Sequence, residues 1–431
     1  MEKELMEIKN KFNSILNKKV LIACSTGVDS MVLLDMAIKY LGKDNIGIAH
    51  VNHKKRAESE DEEKYIKKYA LKHNILLYVH HLDTNTTENF QSYARTARYD
   101  FFNELSINHN YEYVLLAHHA DDNLETIIMR FLKSSSLKGY AGMEQETVYK
   151  NVKVYRPLLE VSKDFIINYA QKHKIKYFDD LSNEEFDYHR NRIRHKIIPY
   201  LKLENPNLIN AVNNYHKTLI SANNIIENHL ELFEKEHIKY TEYENLKIYS
   251  MDYFEFNDLD EYIKKEILFK LTKQFQLSKK TVEELLEQIK NKHKYINSVY
   301  DNLTIIKEYN NLQVIIGKIN VPNFEIDIFE EGTYVLPNNL ELSIEKFSSQ
   351  NTMNNNKVCY NIDTLFVDDL PVTIRTKLPG DKIKTKSGTS KVSDILTNNK
   401  VTYLERNHTL IVIYNNEVKN VLIYQNDEED I

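Results

Sequence analysis

The chain has 431 residues, 42% apolar and 28% charged, with a mean hydropathy of −0.53, a globular composition with room for about three domains. No apolar run is long enough to span a membrane. The charged, amphipathic opening MEKELMEIKNKFNSIL lacks the core of a signal peptide, so a cytoplasmic protein is expected. Cys24 and Cys359, the two cysteines, cannot form a disulfide framework or a zinc cage, and the net charge of −6 argues against a nucleic-acid partner only as an average.

The first 200 residues alternate between strand and helix patterns. KVLIAC (19–24) is a short continuous apolar run, and from Ser30 to Leu41 apolar positions return at helical spacing, with Leu33, Leu34 and Ile38 inward. IGIAHV (46–51), a charged helix over 59–73 and ILLYVH (75–80) follow. A helix over 88–105 is expected to bury Phe90, Ala94, Ala97 and Phe101. YVLLAH (113–118) is a fourth strand, and the next helix turns Leu124, Ile127, Ile128 and Phe131 inward. Near 189–199 a helix buries Ile193 and Ile197, sets Arg190 beside Arg194, and ends at Pro199. Continuous apolar strands alternating with helices predict an α/β domain with a doubly wound parallel sheet. Ligands of such a sheet bind outside the carboxyl ends of its strands. The loops after Cys24, Val51 and Ala117 should therefore line one crevice. Boundaries are expected near 203 and 318. They separate a catalytic domain (1–202), a polar helical middle domain (203–318) and a small α+β domain (319–431). The middle domain closes with a hairpin around Asn310-Asn311. In the last domain, residues 371–400 carry seven Lys or Arg (Arg375, Lys377, Lys382, Lys384, Lys386, Lys391, Lys400) against Asp381 and Asp394, a local positive field suited to phosphates.

Five stretches carry chemistry. The first is Ser25-Thr26-Gly27-Val28-Asp29-Ser30, between strand and helix. A helix N-terminus offers free N–H groups and a positive dipole to an anion. The loop is not a Walker A loop, which needs Gly-Lys-Ser/Thr. Asp29 among phosphates calls for a bridging magnesium ion. Asp29 or Ser30 could equally cap the helix, and pattern alone leaves both readings standing. Ser-x-Gly-x-Asp-Ser after a first strand resembles the pyrophosphate loop of the N-type ATP pyrophosphatases, whose usual text is Ser-Gly-Gly-x-Asp-Ser. The resemblance implies an adenine-nucleotide α-hydrolase-like fold, and ATP cut between its α and β phosphates with no loop lysine. Thr26 departs from the usual glycine, and a β-branched residue disfavours positive φ.

The remaining stretches narrow the family. AHVNHKKRAESEDE places His50, Asn52 and His53 at the crevice. ENFQSYARTARYDFF sets Arg95 and Arg98 on one helix face. AHHADDNLETIIMRF brings His118, Asp121, Asp122 and Glu125 to a helix start; Asp122 and Glu125 also read as a capping box. DDLSNEEFDYHRNRIRHKIIPYL carries Asp180, Ser182, Asn183, Arg190, Asn191, Arg194 and Pro199. With Arg156-Pro157-Leu158-Leu159, these resemble the text of the tRNA(Ile)-lysidine synthase family, densely over 19–202, thinly over 203–320 and moderately over 371–406. The resemblance implies ATP and magnesium as cofactors. Its implied partners are L-lysine and an isoleucine tRNA with the anticodon CAU. The C-terminal domain, with its basic stretch over 371–400, would hold that tRNA. The nucleotide would be bound by Ser25, Thr26, Gly27, Val28, Asp29, Ser30 and His50, with Asp29 on the metal. Chemistry would fall to Asp29, His118, Asp121, Asp122, Arg190 and Arg194. Oligomeric state stays open, a homodimer included. The competing readings are a sulfur-inserting tRNA enzyme, which would need a catalytic cysteine, an ammonia-fed amide synthetase, for which no glutaminase-like Cys-His text is present, and a tRNA-binding protein with a decayed loop.

Overall fold

The computed structural model describes residues 2–52, 58–82, 90–133, 136–178, 189–243, 245–320, 323–338, 340–346, 358–385 and 388–424. His53, Asp180, Ser182, Asn183 and Lys386, singled out above, lie outside them, as does Arg56 of the stretch that holds His53. The chain forms two compact units, Met1–Ile225 and Ile226–Ile431. No described helix is long and apolar enough to cross a membrane.

The first unit is built on a six-stranded sheet. Its strands are β1 (Val20–Ala23), β2 (Ile46–Asn52), β3 (Leu76–His81), β4 (Tyr113–Leu115), β5 (Glu146–Tyr149) and β6 (Val152–Tyr155), in the spatial order β3-β2-β1-β4-β6-β5. All neighbours are parallel except the edge pair β5 and β6. The helices are α1 (Glu2–Asn13), α2 (Val28–Leu41), α3 (Glu58–His73), α4 (Phe90–His109), α5 (Ala120–Lys133), α6 (Leu137–Tyr140), α7 (Lys163–Lys172), α8 (His189–Arg192), α9 (Ile198–Glu204) and α10 (Leu208–His237), the last running across the unit boundary. One core lies under α1, α2, α3 and α7, where Phe12, Met31, Leu33, Leu34, Ile66, Phe165 and Ile166 pack on Val20, Ile22 and Ile48. The other holds Phe102, Leu105, Tyr111 and Val114 with Leu21. Each such buried side chain is worth about 1.5–3 kcal/mol of apolar transfer. The doubly wound parallel sheet expected from the apolar runs is therefore present, and its strand order reverses between β1 and β4. The loops leaving those two strands open the crevice.

Four details of the expected packing and helix ends are corrected. On α4 the most deeply buried ring is Phe102, at 1% exposure, while Phe101 packs on the same core only half-buried, its ring centroid 5.0 Å from that of His80. Two adjacent phenylalanines offer two helix phases, and spacing cannot choose between them. Phe131 is 73% exposed, because the last turn of α5 outruns the residues Ile128 and Met129 that pack on Ile193. Between α8 and α9, Ile193–Ile197 forms a π-helical turn, so Ile198 and not Ile197 joins Ile193 in the core. The wider turn carries the inward face five residues on instead of four. Pro199 stands in the first turn of α9 and starts that helix instead of ending one.

In the second unit, β7 (Lys239–Tyr243), β8 (Leu246–Asp252), β9 (Tyr295–Tyr300), β10 (Leu303–Glu308) and β11 (Asn311–Ile316) form an antiparallel sheet in the order β7-β8-β11-β10-β9. Helices α11 (Tyr253–Asp258), α12 (Glu261–Leu271) and α13 (Lys279–Asn291) accompany it. The expected helices and the expected hairpin are there, the hairpin turning at Tyr309-Asn310. The strands β7 and β8 fall inside a stretch that reads as helical for want of Gly and Pro. The C-terminal part is sheet-rich. Strands β12 (Glu325–Ile328), β13 (Gly332–Val335), β14 (Glu341–Lys346), β15 (Val358–Tyr360), β16 (Thr364–Val367), β17 (Val372–Thr376), β18 (Lys382–Thr385), β19 (Gly388–Lys391), β20 (Leu410–Tyr414) and β21 (Glu417–Ile423) make a seven-stranded and a three-stranded sheet, with α14 (Val392–Asn398) and α15 (Tyr403–Asn407). Within the basic stretch, Arg375 is 9% exposed and grips Asp381 with two hydrogen bonds of 2.9 and 2.6 Å, so it braces the fold.

Candidate active site

The loop from β1 to α2 answers one of the two readings left open by the pattern. Gly27 is the N-cap of α2, in extended conformation, and no side chain caps the helix. Ser30 turns back into the loop, donating to the Gly27 carbonyl at 3.0 Å and accepting the Ser25 N–H at 3.2 Å. Asp29 does not cap its own helix. The first-turn N–H groups are left without a side-chain partner, the arrangement that takes an anion. Thr26 adopts φ +69° and is fully buried. For a β-branched residue that conformation costs about 1–2 kcal/mol. Its hydroxyl donates to the Ser25 carbonyl at 2.5 Å, and its carbonyl accepts the Phe178 N–H at 3.1 Å. Those bonds pin the strained residue from both sides.

Opposite the loop stands the start of α5. Asp122 accepts the His119 N–H at 3.1 Å, closing that helix N-terminus. Its other oxygen takes Arg190 Nη2 at 3.0 Å and Arg194 Nη2 at 3.3 Å. Glu125 is 1% exposed. It accepts Arg190 Nε at 2.6 Å, Arg194 Nε at 2.5 Å and Arg194 Nη2 at 3.0 Å. The two carboxylates thus hold both guanidinium planes. Burial pushes the Asp122 carboxyl up, but His119 and Arg190 outweigh it and hold it below its ordinary value. Burial likewise works against the charge on Arg194, yet Glu125 and Asp122 raise its pKa on balance. The π-turn at Ile193–Ile197 directly follows Arg190 and contains Arg194.

Asp121 is committed elsewhere. One oxygen accepts the backbone N–H of Lys163 at 2.8 Å and the other takes Lys202 Nζ at 2.8 Å. Lys163 in turn lays its ammonium on Asp29 Oδ1 at 2.6 Å. His119, 5% exposed, is ringed by carboxylates: its Nε2 lies 3.4 Å from Asp122 and 3.8 Å from Asp29, and its Nδ1 3.7 Å from Asp121. His118 faces the other way. Its Nδ1 accepts Arg156 Nε at 3.2 Å, so a neutral ring carries its proton on Nε2. Burial, with Arg156, Arg190 and Arg98 nearby, drives its pKa down to about 3, against the pull of Asp122. Arg156 itself is 6% exposed and bonded to the Glu144 carbonyl and Thr147. Arg98 has a buried Nε without a hydrogen-bond partner, an anion-seeking feature. His50 is 2% exposed, donates from Nδ1 to the Cys24 carbonyl at 2.9 Å, and has a buried, unpartnered Nε2. Burial depresses its pKa, which leaves that nitrogen an acceptor.

The structure thus brings Asp29, Asp121, Asp122, Arg190 and Arg194 into one cluster, with His118 at its margin and His50 beside the end of β1. Sequence reasoning passed over His119, Lys163 and Lys202. The double histidine was a usable signal for His119; nothing in the local text marks either lysine. Among the described residues no group of three or more His, Cys, Asp or Glu could hold a metal ion. A lone carboxylate at a phosphate loop still suits magnesium, which keeps waters and phosphate oxygens as its other ligands.

Residues 1–201 match the PP-loop domain family. Over 429 residues the chain is 32% identical to the tRNA(Ile)-lysidine synthase of Streptococcus pyogenes serotype M6, covering 97% of this chain and 92% of that one. The chain belongs to the tRNA(Ile)-lysidine synthase family. The synthase of Staphylococcus epidermidis is 30% identical over 91% of this chain and 90% of its own. That of Aster yellows witches'-broom phytoplasma is 29% identical over 93% and 88%. The likeness to these synthases therefore runs through the second unit as well as the PP-loop domain.

Proposed function

We infer that this chain is an ATP-dependent ligase that joins lysine to the wobble cytidine of an isoleucine tRNA with the anticodon CAU. The family membership, end to end, carries the reading, and the arginine pair held by Glu125 and Asp122 across from the uncapped phosphate loop supports its mechanism. The cytidine ring carbonyl oxygen attacks the α-phosphorus of ATP, and pyrophosphate leaves. The ε-amine of lysine then attacks the ring carbon, and AMP departs with the oxygen. Adenylation is needed because a ring carbonyl oxygen is a poor leaving group. The target base lies in a single-stranded loop, so no duplex has to be opened to reach it.

The roles follow from the chemistry of each group. The amides of Gly27 to Ser30, with the Ser25 hydroxyl, cradle the departing pyrophosphate. Asp29 would hold magnesium, which supplies charge neutralisation at the phosphates. Arg190 and Arg194 each keep Nη1 for the α-phosphate and the charge that develops on it. His118, neutral and protonated on Nε2, donates a hydrogen bond into the crevice. Asp121 acts by positioning Lys163 and Lys202, and Asp122 by aiming the arginines. His50 Nε2 accepts a hydrogen bond from the nucleoside. The basic stretch within residues 371–400 holds the body of the tRNA in the cytoplasm.

A sulfur-inserting reading is disfavoured by Cys24, which is buried and whose thiol burial pushes up. The deciding experiment supplies ATP, radiolabelled lysine and isoleucine tRNA. Lysine should enter the tRNA with release of AMP and pyrophosphate, and Asp29→Ala should abolish it. No incorporation by the wild-type chain would refute the reading.

A further inference from the structure

The loop has no lysine of its own, yet a lysine reaches it. Lys163 Nζ sits 2.6 Å from Asp29 Oδ1, delivered from α7, 134 residues further along the chain. Its position is fixed from several directions. The Lys163 N–H is bonded to Asp121, Ser162 caps α7 by accepting the Phe165 N–H, and the Val161 carbonyl accepts the Ala120 N–H at 2.9 Å. Phe165, Ile166, Tyr169 and Ala170 of α7 pack in the same core as α2, and the Tyr169 hydroxyl donates to Asp35 at 2.9 Å. The backbone of Lys163 is therefore bolted to both walls of the crevice. Its side chain is not: 33% of it is exposed, as is 31% of that of Asp29.

We propose that Lys163 is the phosphate-binding lysine of this loop, parked on Asp29 when no nucleotide is bound and transferred to a phosphate oxygen of ATP when magnesium takes the carboxylate. This rests on the reading of the loop as an ATP site. An ammonium and a divalent cation compete for the same carboxylate oxygen, and the doubly charged ion with phosphate ligands wins. The displaced ammonium, on a flexible four-carbon stem, then lies within a side-chain swing of the only new anion present. Lys163 serves as counter-ion first and phosphate ligand second, so the carboxylate is never left unpaired.

Calorimetric titration of magnesium-ATP into the full-length protein, without tRNA and so without turnover, tests this. Lys163→Met keeps the apolar stem and removes the charge, and it should weaken magnesium-ATP binding about ten- to a hundredfold, the effect of one lost charge-assisted contact. Lys163→Arg should stay within about threefold of wild type. Magnesium alone should bind Lys163→Met at least as well as wild type, since its competitor is gone. If Lys163→Met binds magnesium-ATP like wild type, Lys163 is a counter-ion for Asp29 and nothing more, and the proposal falls. Lys163→Gln provides the same comparison should the methionine variant misfold, as judged by its melting curve. A wild-type chain that binds no ATP would instead overturn the underlying assignment of the loop.

Discussion

Replacing Glu125 by Gln tests whether the arginine pair is aimed by a buried carboxylate. The substitution keeps the shape, so no cavity forms, and the whole effect is electrostatic. Glu125 accepts three guanidinium hydrogen bonds, at 2.5, 2.6 and 3.0 Å, while being 1% exposed. Removing one partner of a buried ion pair costs about 3–5 kcal/mol. The arginine side chains keep 40% and 33% exposure, and Asp122 remains as a second acceptor, so the expected loss is nearer about 2–3 kcal/mol. That is a large share of the usual stability of about 5–15 kcal/mol. A glutamine also turns an NH2 donor toward guanidinium donors, which swings at least one arginine off its line. Misplacement of that kind lowers kcat by about a hundredfold. The KM for lysine should move less, since the proposed role of the arginines is at phosphate. The chain has no Trp, so far-UV circular dichroism follows urea unfolding, and lysine incorporation gives kcat. Unfolding within about 0.5 kcal/mol of wild type together with an unchanged kcat would refute the claim that Glu125 sets the arginines.

Three further outcomes are expected. The buried His118, with its pKa held down near 3, is neutral when folded but binds a proton below about 6.5 when unfolded. The unfolded chain then holds the extra proton, so this group costs nothing above about pH 6.5 and destabilises increasingly as pH falls toward 3. Between pH 7 and pH 5, wild type should lose about 2 kcal/mol more than His118→Gln; parallel pH profiles of the two unfolding free energies would contradict this. Gly47→Ala would put a Cβ 2.1 Å from the Tyr111 hydroxyl and 2.5 Å from its ring carbon, within a core where Tyr111 is 4% exposed; the overpacking should cost about 1–3 kcal/mol, seen as a lower Tm, with kcat preserved at low temperature. Thr26→Gly relieves about 1–2 kcal/mol of backbone strain but adds about 0.5–1 kcal/mol of unfolded-chain entropy, loses a buried methyl worth about 0.8 kcal/mol and loses the hydroxyl bond to the Ser25 carbonyl, worth about 0.5–1.5 kcal/mol. The net change should lie between none and a loss of about 2 kcal/mol, and a loss above about 3 kcal/mol in urea unfolding would mean that contacts of Thr26, not its φ, set its energetics.

What could be read from the chain in advance follows the range of the forces involved. The strands β1 to β4 show as continuous apolar runs, and helices α2 to α5 as periodic ones, because burial in a layered sheet acts residue by residue. The phase of α4 and the π-turn before α9 do not, since adjacent apolar residues (Phe101 and Phe102, Ile197 and Ile198) satisfy two registers equally and the partner surface selects one. In the site, Asp122, Glu125, Arg190 and Arg194 come as local text, but their pairing joins residues 65 to 72 positions apart. Reading the arginines as nucleotide contacts missed that two of the three donor nitrogens of each already hold carboxylates. Asp121 reads like its neighbour Asp122, yet the fold spends it on Lys163 and Lys202.

The phosphate loop shows the same limit most sharply. Two features stand in its text: threonine where the usual loop has glycine, and the absence of any lysine. The first is a local cost, and the loop meets it locally, with Thr26 held at φ +69° by the Ser25 carbonyl and the Phe178 N–H. The second is met at long range. A lysine inside the loop would be tied to the loop's own backbone path. One carried by α7 is positioned by Asp121, and Asp121 stands one residue before Asp122, which holds the arginines. The lysine beside the phosphate loop and the arginines across the crevice thus hang from consecutive carboxylates at one helix start. A shift of that helix start would move the cationic groups of both walls together, so the spacing between pyrophosphate site and arginine pair is set by a single element.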